Sequence, residues 1–151
     1  MNKIKKSFTS RAAVAAIGAA LLIPALALAN VQEEREDLMK DTAGVMKKLA
    51  PVFKGEAAFD GAMVAALGEQ AAGNFSKAKE LFPEGSAEGR ALPIIWEQHE
   101  KFNSTFDEGI AAAQAVAAAG AAGDEAAFKE AFMAMGGSCK SCHETFRKPK
   151  E

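Results

Sequence analysis

The chain has no tyrosine, one tryptophan, two cysteines and two histidines. Runs of β-branched residues are scarce. No segment alternates apolar and polar residues with a period of two, which excludes a sheet as the organising element. Beyond residue 29 no apolar run is long enough to cross a bilayer. Basic excess is missing there too: 14 Lys and Arg stand against 20 Asp and Glu, a net charge of −6. That balance argues against a nucleic-acid partner, which would want a basic face.

Acids are absent from the first 29 residues. Lys3, Lys5, Lys6 and Arg11 come first, residues 12 to 29 are small and apolar, and Ala27-Leu28-Ala29 makes an A-x-A cleavage pattern. Residues 1–29 read as a cleaved Sec-type signal peptide; the alternative is an uncleaved anchor, and Pro24 with the small-residue exit favours cleavage. The mature chain is then 30–151, one domain in the periplasm with no membrane contact after cleavage. A domain of that size hides roughly 65% of its unfolded surface, enough for a real core.

Four segments carry helical periodicity. The first, about 31–50, places Leu38, Thr42, Val45, Met46 and Leu49 on one face and is expected to stop at Pro51. The second, about 61–82, takes Asp60 as N-cap, with Phe59 and Val64 as a hydrophobic staple. Its stripe is Met63, Leu67, Ala71, Ala78 and Leu81, with Gly73 and Asn74 as weak points. Pro83 to Leu92 reads as a loop. The third helix starts near Pro93, runs through Ile95, His99, Phe102, Phe106, Ile110 and Ala113, and ends at Gly120. Asp124 caps the fourth, where Phe128, Ala131, Phe132, Met135, Cys139, Cys142, His143 and Phe146 share a face and Pro149 closes. The reading is all-α: an antiparallel up-down four-helix bundle.

Both cysteines fall in Cys139-Lys140-Ser141-Cys142-His143. This C-x-x-C-H string is the attachment signal for a c-type haem: two thiols add to the two vinyl groups and the histidine ligates the iron. At i, i+3 and i+4 on a helix the three side chains share one face. Gly136 and Gly137, one turn earlier, suit a porphyrin pressed against the backbone. A thioredoxin-like site wants a βαβ pattern, and no strand pattern is visible in the sequence. A structural zinc site wants four Cys or His ligands, and would need every one the chain has, these three and the distant His99. A plain disulfide leaves His143 and the aromatic stripe unexplained. One covalent haem c per chain is the reading. Across the iron the candidates are Met39, Met46, Met63 and His99; Met133 and Met135 share the helix of His143. Periodicity does not choose among the four.

The mature chain resembles the cytochrome c′ family, the four-helix class of c-type cytochromes, over nearly all of residues 31–148. The resemblance rests on Arg35-x-x-x-Met39, Pro51-Val52-Phe53-Lys54-Gly55, Leu92-Pro93-x-Ile95-Trp96 and, most specifically, Cys139-Lys140-Ser141-Cys142-His143-Glu144-x-Phe146-Arg147. It implies that Met39 is the distal residue, that Arg35 lies beside a haem propionate, and that Arg147 lies beside the proximal His143. It also implies a homodimer through the first two helices.

The family divides on what the distal residue does. High-spin members leave the iron five-coordinate and bind small gases such as nitric oxide. Low-spin members of the c-556 type ligate the iron with a first-helix Met and pass electrons. The string Leu38-Met39-Lys40-Asp41 resembles the low-spin type, as does Leu81-Phe82-Pro83-Glu84-Gly85-Ser86. We therefore expect a periplasmic electron carrier with His143 and Met39 as iron ligands, not an enzyme. The alternative is a five-coordinate binder of nitric oxide. The net negative charge suggests a redox partner with a basic docking patch.

Overall fold

The computed structural model describes residues 25–149. The leader expected over 1–29 lies outside the described residues, apart from 25–29, which begin the first helix. Among the described residues five helices follow one another: α1 (Ala25–Phe53), α2 (Gly61–Lys79), α3 (Ile94–Glu97), α4 (His99–Ala122) and α5 (Glu125–Phe146). The four long ones form an up-down bundle in which α2 packs on α4 most extensively, then α4 on α5 and α1 on α2. Helices α1 and α5 touch only slightly. No described helix is long and apolar enough to cross a membrane.

The caps follow from the residues. Asp60 Oδ1 accepts from Met63 N at 3.0 Å and Asp124 Oδ1 accepts from Ala127 N at 3.0 Å, each satisfying an N–H the helix cannot. Pro51 does not stop α1. It lies in the last turn, and the helix runs on to Phe53 before Gly55 takes a positive φ of 75°. The expected third helix is two, because Gln98 leaves helical geometry (φ −119°, ψ 46°) and α4 restarts at His99. Gly120 is no terminus. It lies buried inside α4, where an added Cβ would meet the backbone of Ala65, and the chain turns at Gly123 (φ +69°). Gly120 is small so that α4 can lie against α2.

The core is Val45, Leu49, Val52, Val64, Leu67, Ala71, Phe75, Phe102, Phe128, Met135 and their neighbours. Burial of each larger side chain contributes about 1.5–3 kcal/mol. On α2 the buried stripe runs through Val64, Leu67, Ala71, Phe75 and Ala78, and Met63 is exposed. Asn74 does not weaken the helix: its Nδ2 donates to Thr42 Oγ1 at 3.3 Å and so ties α2 to α1. Phe53, Phe59, Phe128 and Phe132 interlock at the far end of the bundle, with ring centroids 4.9 to 5.9 Å apart.

Candidate haem site

Between α1 and α5 the bundle leaves a cleft in two lobes, of about 400 and 290 Å³. Met39, Ala43, Phe106, Cys142 and His143 line both. Arg35, Phe82, Arg90, Phe102 and Arg147 belong to the larger lobe; Met46, Phe75, Gly136 and Cys139 belong to the smaller. The spacing expected from the C-x-x-C-H string holds, since all three of its key residues lie on α5 and are half-buried against the cleft. No disulfide joins Cys139 to Cys142. Burial pushes the Cys142 thiol up to about 11, with the neighbouring Cys139 adding to the effect, and burial raises Cys139 as well.

His143 is held down to about 4, first by burial and then by the positive charges of Arg147 and Arg90. At neutral pH its imidazole therefore carries a free lone pair, the form in which histidine ligates a metal. Arg147 is not on the helix face with His143. Helix α5 ends at Phe146, and Arg147 is extended (φ −125°, ψ 135°) in an antiparallel bridge with Ala91. The bridge nonetheless brings it to the lobe that His143 lines. Of the two glycines before the motif, Gly136 lines the cleft opposite Met46, whereas Gly137 is exposed and lines neither lobe.

The distal candidates separate by position. Met39 lines both lobes from the α1 side; Met46 reaches only the smaller. Met63 and His99 are exposed and line neither, and His99 Nδ1 pairs with Asn103 Nδ2 at 3.2 Å.

Arg35 is 6% exposed, and its guanidinium lies 4.6 Å from the ring centroid of Phe82. Nη2 donates to the carbonyl of Ser86 at 3.1 Å, but Nη1 is buried with no partner. Burial lowers its pKa, opposed by the charges of Glu88 and Glu36. An orphaned guanidinium N–H is costly until an acceptor meets it. The walls beside it are aromatic: Phe82, Phe102, Phe106 and Phe146 pack with centroids 4.7 to 5.9 Å apart. An apolar slot with two cysteines and a neutral imidazole on one wall, and at its edge a guanidinium with one nitrogen unpartnered, fits a haem, which is an apolar disc with carboxylates on its rim.

Ser86 and Arg90 were not legible as site residues. Both lie in the 83–92 loop, where no periodicity marks them; Arg90 is simply a cation in a Gly- and Ser-containing loop.

Comparison with known proteins finds relatives over most of the chain. The family model described as cytochrome C′ matches residues 30–147. Cytochrome c′ of Rhodopseudomonas palustris is 39% identical over 129 residues, covering 83% of this chain and 87% of that protein. Cytochrome c-556 of Agrobacterium tumefaciens is 34% identical over 119 residues, covering 78% and 97%. Among solved structures, the nitric oxide complex of a mutant of cytochrome c prime from Alcaligenes xylosoxidans superposes with a TM-score of 0.78 at 28% identity, over 82% of this chain and 97% of that one. Covalent haem c held through cysteines belongs to this family, and the cysteines here are Cys139 and Cys142.

Proposed function

The chain belongs to the cytochrome c′ family, and from that premise we propose that it carries electrons through one haem c whose iron is held between His143 and Met39. One observation carries the reading. Of the four distal candidates, only Met39 lines both lobes of the cleft that Cys142 and His143 also line. A haem iron with His and Met ligands supplies one-electron redox chemistry at a raised potential.

The rest is done by side chains of this chain. His143, neutral at physiological pH, would hold the iron through its lone pair. Arg35, whose Nη1 has no partner, would meet a propionate. Phe82, Phe102, Phe106 and Phe146 exclude water. Arg147 stands on the His143 side as a fixed positive charge. Residues 1–29 are a leader removed on export, and the mature domain works in the periplasm. Its partner is another redox protein, with a basic docking face suited to the net charge of −6. Self-association through α1 and α2 gives a homodimer.

A second reading, a five-coordinate binder of small gases, draws on the structural relative solved with nitric oxide. Reduction followed by carbon monoxide separates the two. We expect sharp, split visible bands and slow or no binding. A broad high-spin Soret band with ready binding overturns the electron-carrier assignment.

A further inference from the structure

The loop between α2 and α3 grips both walls of the cleft. On the α1 side, the carbonyl of the fully buried Ser86 accepts from Arg35 Nη2 at 3.1 Å. Gly89, with φ +62°, lies so close to Gln32 that an added Cβ would be 2.5 Å from its Nε2. On the α5 side, Leu92 N donates to the carbonyl of Phe146 at 3.1 Å, and Lys148 N donates to the carbonyl of Arg90 at 2.8 Å. Arg90 then closes its guanidinium on the carbonyl of Lys148, through Nε at 3.0 Å and through Nη2. Trp96 Nε1 anchors the start of the loop by donating to the carbonyls of Phe82 and Pro83.

These bonds matter because α1 and α5 otherwise touch only slightly. Arg35 is one turn from Met39, and Phe146 is three residues from His143. The loop is therefore bonded near the distal residue on one wall and near the proximal residue on the other. A last helical turn whose carbonyls lack partners frays; here the Phe146 carbonyl has one, supplied by the loop.

We propose that residues 83–92 form a strap that sets the spacing of the α1 and α5 walls, with Arg90 as its positioning residue, and so decides whether the Met39 sulfur stays on the iron. The proposal deepens the His143/Met39 reading and rests on it. Arg90 touches no reacting atom in this role. It acts by holding the chain just after α5 to the loop that holds Arg35.

The test uses the purified haem-loaded protein. Arg90→Gln removes the guanidinium fork, and Arg90→Lys keeps one donor. With Arg90→Gln we expect a high-spin fraction in the ferric spectrum and carbon monoxide association faster by about tenfold, the scale of one lost charge-assisted hydrogen bond. Arg90→Lys should recover part of both. A chain ending at Arg147 removes Lys148, both its carbonyl and its N–H bond to Arg90, and should give at least the Gln result; it serves if Arg90→Gln fails to fold. Asp124→Ala, at the far end of α5, is the control for mere destabilisation and should leave spin state and binding rate alone. If both strap variants melt lower yet keep the parent's spin state and rate, the strap is overturned. Should the unaltered protein itself prove high-spin, the Met39 reading fails separately. The strap is then judged on the iron–histidine stretching frequency: a shift in both variants sustains wall positioning, and an unchanged frequency overturns it.

Discussion

Two seams of the bundle are built on opposite plans. Between α2 and α4 the backbones nearly meet: a Cβ on Gly68 would strike Ala117, and one on Gly120 would strike Ala65. Between α1 and α5 lies a cleft with lobes of about 400 and 290 Å³, walled by Met39, Phe106, Cys142 and His143. Protein interiors pack as densely as organic crystals and tolerate few voids larger than a water. An apolar cleft of this size, in a bundle able to close its other seam to backbone contact, marks where a large apolar group belongs. Small residues make one seam structural. Large side chains and a strap make the other a site.

That contrast can be broken from either side. The largest effect is expected at the closed seam. Gly120→Val forces α4 off α2 and should cost about 3 kcal/mol in denaturant unfolding, the upper part of the range for overpacking, while the haem spectrum of the folded fraction stays as it was. At the open seam, Arg35→Gln should cost the haem-loaded protein about 2 kcal/mol, the value of a hydrogen bond to a charged group. The same change in the haem-free chain should cost less, because Nη1 has no acceptor there; equal losses in the two forms would mean that Arg35 does not face a propionate. Smallest is Asp124→Ala, which removes the cap on Ala127 N and should cost about 1 kcal/mol with no spectral change.

The closed seam and the site differ also in how far the sequence reveals them. The caps at Asp60 and Asp124, the stripe on α5 and the grouping of Cys139, Cys142 and His143 are local, set by spacing along one helix, and the structure has them as expected. Met63 falls outside the buried stripe because a stripe of small residues has two neighbouring faces of similar apolarity, and burial of Phe75 and Asn74 turns α2 toward the other one. Gly120 resembles a helix stop until the contact with Ala65 is known. Arg147 lies just past α5 and not on it, which its spacing from His143 does not reveal, because a period of four says nothing of where the helix ends. The separation of Met39 from Met46, Met63 and His99, and the roles of Ser86 and Arg90, depend on contacts between segments distant in sequence, which no periodicity encodes.

The central claim is that the Met39 sulfur ligates the iron that His143 holds. Electron paramagnetic resonance of the ferric protein beside Met39→Ala tests it most directly. The account predicts a low-spin signal in the parent and a high-spin one in the variant, with Met46→Ala unchanged from the parent. A high-spin parent, or a low-spin signal that survives the loss of Met39, contradicts it.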